Sequence, residues 1–364
     1  MIVSVFGNLK ATSVISDKPA ISGTFQILTI EKIREEAKDF KTFFFFNGHG
    51  LQYQSGQFIT LIDHIGLQEI RRSYSIISSP ELREPLAIGV KRMANGFFSR
   101  NLIDKAKPGD QLVTSGVTGL FRLPDNMHAY NRFFFFAAGS GITPIYSLLK
   151  TLLVAYPHKK VVLTYSSPSA TAAPYYEELR KLEHQHPQQL RIYFAFSSNA
   201  NLRRARLNRE FLLELLRDNQ ANYTESFFFT CGPESYMRLV IFTLLEEGFP
   251  QEHIKKEDFN SGNKKLSPRL PPHKGNHHIQ IKLGDQYFEF TVQYPETILQ
   301  AAKRMKINLP YSCETGKCGA CTAKCSSGKI WLSNNEVLTE EDLQKGLVLT
   351  CTGYPQSDDL ILEI

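Results

Sequence analysis

From Thr24 onward, the apolar positions fall in short runs: FQILTIEKI, KTFFFF, YQSGQFITLI, RRSYSII, PLAIGVKRM, DQLVTSGV and GLFRLP. Most are bounded by Gly, Pro, Asn or Asp. Short strands broken by turns predict a small antiparallel barrel. One helical patch interrupts them, GFFSRNLIDKA at 96–106, and KPGD at 107–110 reads as a turn. The first twenty residues show no strong pattern and read as an arm.

After about residue 128 the rhythm changes. RFFFFAAGSG is a continuous apolar run ending in glycines, as expected of a strand buried on both faces of a parallel sheet. TPIYSLLKTLLVAY follows as a helix, with Thr143 predicted as N-cap and Pro144 at the first helical position. Then come strand KVVLTYS, helix YYEELRKLEHQ, strand LRIYFAFS, helix NREFLLELLRD, strand ESFFFTCGP and helix SYMRLVIFTLLEEG. The alternation predicts a doubly wound α/β domain. Residues 260–276, NSGNKKLSPRLPPHKGN, are nearly devoid of apolar side chains and read as a linker. Beyond it lie strands HHIQIKL and QYFEFTV, helix ETILQAAKRM, a cysteine-rich loop, and strands LVLTCTG and LILEI.

Length and charge narrow the picture. A chain of 364 residues suggests two or three domains, and 42% hydrophobic with 21% charged residues gives ample core. The net charge is +6. Residues 277–364 hold eight basic and eleven acidic side chains, a net of −3 against +9 for the remainder. No run of like charge stands out, so no nucleic-acid partner is expected. No window of 18 apolar residues predicts a membrane span, and the N-terminus lacks a signal-peptide pattern. Six cysteines, four of them in a metal-type pattern, point to a reducing cytoplasm.

The strongest chemical signal is YSCETGKCGAC at 311–321. Cys313, Cys318 and Cys321 are spaced C-x4-C-x2-C, the plant-type [2Fe–2S] spacing, whose fourth thiolate comes from far down the chain; Cys351 is in place for it. A structural zinc site or unrelated buried thiols are the alternatives, but zinc loops usually show cysteine pairs on both sides of the site. Arg72-Ser73-Tyr74-Ser75 offers a flat aromatic face, a cation for phosphate and a hydroxyl, though a strand with alternating polar residues reads the same way. Gly96-Phe97-Phe98-Ser99 opens a helix, where free amides make a pyrophosphate seat or simply a capped turn. Gly139-Ser140-Gly141-Ile142-Thr143-Pro144 joins a buried strand to a helix, as phosphate-binding loops do. Cys231-Gly232-Pro233 ends another strand, and a lone Cys there is more often packing than chemistry.

Taken together and in order, these pieces resemble the ferredoxin-NADP reductase superfamily, specifically its three-domain flavin, NAD(P) and plant-type [2Fe–2S] members. The likeness runs from about residue 22 to 364 through SGQF, RSYS, GFFSRNL, KPGD, GSGITP, CGP, HIKKEDF, the cysteine loop and VLTCTGYPQSDDL. It is greatest to reductase components of bacterial multicomponent oxygenases of the phenylacetyl-CoA epoxidase kind. The resemblance implies an arm at 1–21, an FAD-binding β-barrel at 22–127, an NAD(P)-binding α/β domain at 128–259, a linker at 260–276 and an α+β, β-grasp ferredoxin domain at 277–364. It implies that Tyr74 stacks on the flavin, Arg72 contacts its phosphates, and Ser75 sits near N5 beside Ser73. Gly96, Phe97, Phe98 and Ser99 would support the pyrophosphate, favouring FAD. Gly139, Ser140, Gly141, Thr143 and Pro144 would hold the dinucleotide phosphates. Cys231, Gly232 and Pro233 would flank the nicotinamide, with Glu257 at the flavin–nicotinamide contact and Ser75, Cys231 and Glu257 as catalytic positions. Cys313, Cys318, Cys321 and Cys351 would ligate the cluster; Cys325 has no family role and reads as a packed thiol. The implied activity is NAD(P)H-dependent electron transfer through FAD and the cluster to a partner oxygenase or hydroxylase. A general reductase serving a desaturase or other electron carrier is the alternative, and a non-catalytic nucleotide and zinc module the remote one. Where NADPH-using relatives often carry Ser-Arg, this chain has Ser197-Ser198, with Arg203, Arg204 and Arg206 nearby. Tyr165-Ser166-Ser167 supplies no acid for a 2′-hydroxyl, so the choice between NADH and NADPH stays open.

Overall fold

The computed structural model describes residues 25–46, 50–66, 68–259 and 269–364. The expected arm at 1–21 and residues 260–268 of the expected linker lie outside the described residues.

The first apolar runs form strands β1 (Gln26–Ala37), β2 (Phe40–Phe45), β3 (Phe58–Ile65), β4 (Gln68–Ser75) and β5 (Ala87–Lys91), then helix α1 (Phe97–Lys105) and strand β6 (Gln111–Thr118). The strand order is β4-β3-β6-β1-β2-β5, every pairing antiparallel. A bridge between Ile76 and Ile88 joins the two ends of that order and closes the barrel. Leu28, Ile30, Phe43, Ile59 and Leu61 fill it, each fully buried. The strand expected at GLFRLP does not form. Gly119 turns the chain there with φ +128°. The apolar residues that follow bridge domains instead: Phe121 joins the core of the second domain and Leu120 packs on that of the third.

The second domain alternates as expected: β7 (Arg132–Ala138), α2 (Ile142–Ala155), β8 (Lys160–Ser167), α3 (Tyr176–Gln185), β9 (Leu190–Phe196), α4 (Leu202–Ala205), α5 (Arg209–Asp218), β10 (Ser226–Cys231), α6 (Glu234–Glu246) and β11 (Ile254–Glu257). Its sheet is wholly parallel in the order β11-β10-β7-β8-β9. The strand order therefore reverses between β7 and β10, where such sheets open a ligand crevice at their carboxyl ends. The phenylalanine runs lock these two strands, with Phe134 on Phe228 at 5.2 Å and Phe135 on Phe229 at 5.0 Å. One expectation is corrected: the N-cap of α2 is Gly141, and Thr143 lies inside the first turn. Its hydroxyl donates back to the Ser140 carbonyl at 3.0 Å, so it braces the glycine loop rather than capping the helix.

The barrel and the α/β domain share a core. Phe40, Ile77 and Ala87 of the barrel belong to the same buried cluster as Tyr146 and Tyr175. Thr42 and Tyr175 hydroxyls meet at 2.9 Å inside it.

The third domain comprises β12 (His277–Leu283), β13 (Gln286–Val292), α7 (Ile298–Arg304), β14 (Thr322–Ser327), β15 (Ile330–Leu332), α8 (Glu340–Gln344), β16 (Leu347–Leu349), β17 (Gly353–Pro355) and β18 (Leu360–Glu363). The sheet β13-β12-β18-β14-β16 is mixed, with β12 and β18 parallel, and α7 packs on it as in a β-grasp fold. Thr297 starts α7 with a full capping box. The expected strand LVLTCTG divides into β16 and β17, with Cys351 in the bend between them. Among the described residues the core of this domain is its own, and Leu120 is the one apolar barrel side chain packed against it.

Candidate active site

The site is assembled along β4. This strand lies at the end of the barrel's strand order and pairs with β3 from Gln68↔Ile65 to Ser75↔Phe58. Side chains alternate across a strand, so Arg71, Ser73 and Ser75 share one face and Arg72 and Tyr74 the other. Tyr74 leans on Phe98 with ring centroids 6.0 Å apart, and burial pushes its phenol pKa up. Arg72 is exposed, and its Nη1 donates to the Arg71 carbonyl at 2.7 Å. Gly96 is the N-cap of α1. The Ser99 hydroxyl closes that turn, accepting from the Met93 amide at 3.1 Å. Phe98 is buried beneath the turn, whereas Phe97 faces outward.

On the opposite face of β4, Ser75 Oγ donates to Glu257 Oε2 at 3.5 Å, the outer limit of a hydrogen bond. Glu257 ends β11 and pairs in register with Cys231 at the end of β10. Three predicted residues from three sequence regions thus meet at the switch point. Burial pushes the Glu257 carboxyl up to about 8 against the hydrogen bond from Ser75, so it holds a proton at neutral pH. Cys231 is fully buried, and burial raises its thiol well above the ordinary value. It is therefore a neutral packing surface and not a nucleophile.

The glycine loop lies on the same crevice. A Cβ on Gly141 would stand 2.0 Å from the Cys231 carbonyl oxygen, and one on Gly232 would stand 2.8 Å from the Ala138 Cβ. Only glycine lets these two strand ends approach so closely. Gly139 adopts φ +55° with open space before it, Ser140 is half-buried, and Pro144 is buried on α2. Pro233 caps α6. Ser167 Oγ at the end of β8 and Thr118 Oγ1 at the end of β6 are buried without a protein hydrogen-bond partner. Of the three arginines after β9, Arg204 is committed to the protein: it bonds Glu214 at 2.6 Å and lies 4.4 Å over the Phe211 ring.

In the third domain the four predicted cysteines come together as two pairs. Cys318 hydrogen-bonds Cys313 and pulls its thiol down, and Cys351 does the same to Cys321. Among the described residues, no three His, Cys, Asp or Glu side chains are grouped as ligands of one metal ion. Three closely spaced cysteines and a distant fourth are the donor set of a plant-type [2Fe–2S] cluster. The loop curls through positive φ at Glu314, Gly316 and Gly319. Amides of Thr315 and Ala320 point at Cys313 Sγ and Cys318 Sγ, each at 3.4 Å, as donors that favour anionic sulfur. Cys325 is apart from them and donates to the Ser327 carbonyl at 3.2 Å. Asn334 holds the loop by donating to the Thr315 carbonyl at 2.7 Å. It was not foreseen, since a lone Asn 13 residues after Cys321 carries no spacing signal.

With this geometry in view, the comparisons are consistent. Residues 25–123 match the oxidoreductase FAD-binding domain model, 135–241 the oxidoreductase NAD-binding domain, and 281–356 the 2Fe-2S iron-sulfur cluster binding domain. The chain is an oxidoreductase with FAD, NAD and [2Fe–2S] domains. It is 30% identical to the ferredoxin reductase component of 3-ketosteroid-9-alpha-monooxygenase from Rhodococcus rhodochrous, covering 93% of this chain and 96% of that one. It is 29% identical to a component of 1,2-phenylacetyl-CoA epoxidase from Escherichia coli (strain K12), covering 93% and 98%. The fold is also that of phthalate dioxygenase reductase, with a TM-score of 0.57, 21% identity and coverage of 93% and 98%. The chain belongs to the family of three-domain reductase components that pass electrons from nicotinamide through FAD and a [2Fe–2S] cluster to oxygenases. Among the described residues, no helix is long and apolar enough to cross a membrane.

Proposed function

We propose that this protein takes electrons from NAD(P)H and delivers them to a terminal oxygenase or hydroxylase, in keeping with the names of its monooxygenase and epoxidase relatives. The proposed domains are 22–127, 128–259 and 277–364, with a linker at 260–276, and the proposed compartment is the cytoplasm. When bound, FAD accepts two electrons together as a hydride and releases them singly, and the cluster carries one at a time.

The proposed roles follow the crevice. Tyr74 stacks on the flavin from one face of β4, and Ser75 reaches the ring edge from the other, the face that also carries Ser73. Arg72 and the α1 turn at Gly96, Phe97, Phe98 and Ser99 hold its phosphates. Gly139, Ser140, Gly141, Thr143 and Pro144 seat the dinucleotide. Cys231, Gly232 and Pro233 give the nicotinamide a flat, dry wall. Glu257 keeps its proton at neutral pH and so adds no charge beside the reacting ring. Cys313 with Cys318, and Cys321 with Cys351, hold the two irons.

One observation carries this reading: within three residues, β4 hydrogen-bonds both other domains. Ser75 reaches Glu257, and Ser73 Oγ donates to Ser312 Oγ at 2.8 Å, one residue before Cys313. A strand that touches the nicotinamide end and the cluster loop belongs between a two-electron donor and a one-electron acceptor. The test is the absorption spectrum of the purified protein under anaerobic conditions. Flavin and iron–sulfur bands should both be visible and should bleach with NAD(P)H. A colourless protein carrying one zinc would overturn the proposal.

A further inference from the structure

The first two domains are fused through a shared apolar core, but the third is joined to them differently. Among the described residues, besides Leu120, a short polar seam along β4 joins it to the barrel. At its centre is Arg71, 5% exposed and one residue before the proposed flavin-binding motif. Its guanidinium lies 3.8 Å from the Tyr311 ring centroid. Its Nη2 donates to Asn308 Oδ1 at 2.9 Å, and its Nε donates to Glu69 Oε1 at 2.7 Å. The same Glu69 oxygen accepts from the Tyr311 hydroxyl at 2.9 Å. Lys303 Nζ lies 3.7 Å from the same ring, so Tyr311 is held by cations from both domains. One step further along, Ser73 bonds Ser312, and the next residue is Cys313.

From this we infer that Arg71 is a positioning residue for electron transfer between flavin and cluster. Its contacts are with Tyr311, Asn308 and Glu69. It sets the register of residues 308–312 on β4, and so the distance of the Cys313 side of the cluster from the flavin edge. A planar guanidinium suits this task, because it can stack on Tyr311 while its in-plane donors reach Glu69 and Asn308. The seam is also small and polar, and interfaces of that kind within a chain open readily. The step served moves one electron at a time from reduced flavin to oxidised cluster, with NAD(P)H as the source, and makes or breaks no bond. The inference rests on the function proposed above.

The experiment compares the full-length holoprotein with Arg71→Ala and Arg71→Lys. Hydrogen–deuterium exchange at residues 308–312 reads the seam directly. It should quicken by ~10-fold in Arg71→Ala, on the worth of a buried charged hydrogen-bond set, and by less in Arg71→Lys, which keeps only a positive charge near the Tyr311 ring. Rapid mixing with NAD(P)H should show flavin reduction unchanged and the later flavin-to-cluster step slowed by ~10-fold. Turnover with ferricyanide, which can accept directly from the flavin, should stay at the wild-type level, while cytochrome c reduction through the cluster should fall. Unchanged exchange and unchanged internal transfer would overturn the inference, as would an equal loss of both turnovers. If Arg71→Ala does not fold, Asn308→Ala removes one partner from the third-domain side and must quicken exchange in the same segment. A wild-type protein that never reduces its cluster would instead defeat the functional proposal, leaving the exchange result to judge the seam alone.

Discussion

Glu257 is the half-buried acid whose removal has the most informative consequences. It sits at the end of β11 with Ser75 as its polar neighbour, and burial raises its pKa from 4.5 to about 8. The folded pKa lies above the unfolded one. The contribution is therefore whole below about 4.5 and is lost as pH rises through about 8. In that window the folded state holds a proton that the unfolded state has released, so stability falls by ~1.4 kcal/mol per pH unit. Across the full interval the loss approaches ~5 kcal/mol, and water entry or small shifts would return part of it. Glu257→Gln cannot ionise and removes that slope. Between pH 6 and pH 8, where the carboxyl becomes half ionised, the variant should gain ~2 kcal/mol relative to the wild type, which for domains of this size is ~5–10 °C in Tm. Scanning calorimetry of both proteins at pH 6, 7 and 8 reads this directly. Parallel Tm profiles would refute the reasoning, because they would mean the carboxylate is solvated or paired in the folded protein. The same variant tests the chemistry separately: any step in the hydride-transfer rate near pH 8 should vanish in Glu257→Gln.

Other expectations concern the remaining parts of the site. Cys318→Ser should lose the iron–sulfur absorption and paramagnetic signal while flavin reduction by NAD(P)H continues, since the third domain has its own core. Gly141→Ala forces a methyl against the Cys231 carbonyl; it should destabilise the α/β domain by ~1–3 kcal/mol and weaken nucleotide binding, read by denaturation and titration. Tyr175→Phe leaves the buried Thr42 hydroxyl without its partner and should cost ~1–3 kcal/mol, read as a lower urea midpoint, with cofactor content unchanged.

What was legible in the chain follows from how local its signals are. The C-x4-C-x2-C spacing, the glycines at strand ends and the alternation of apolar strands with amphipathic helices are all set by neighbouring residues. They outlined the three parts of the chain, whereas the grouping of Ser75, Cys231 and Glu257 came only from the family resemblance, and the structure brings the three together. Thr143 misled because Thr-Pro reads as an N-cap, whereas its hydroxyl is spent on the Ser140 carbonyl. GLFRLP misled because its apolar residues serve other domains, a long-range use that mimics a strand's own burial. The short elements β14, β15 and α8 carry no readable signal because three to six residues of mixed polarity have no clear period. The seam residues were silent for a related reason. Glu69, Arg71 and Ser73 alternate on β4 as polar residues on any solvent-facing strand do, and their partners Asn308 and Tyr311 lie more than two hundred residues away. Arg71 directly before Arg72 was the one available hint.

The central claim is that electrons reach the cluster only through the flavin. Rapid mixing of the anaerobic oxidised protein with NAD(P)H, with absorbance followed at separate flavin and iron–sulfur wavelengths, tests it most directly. The account predicts that flavin bleaching comes first and cluster reduction follows, and that Cys318→Ser retains the first phase and lacks the second. Cluster bleaching with no preceding flavin phase, or flavin reduction that never spreads to an intact cluster, would contradict it.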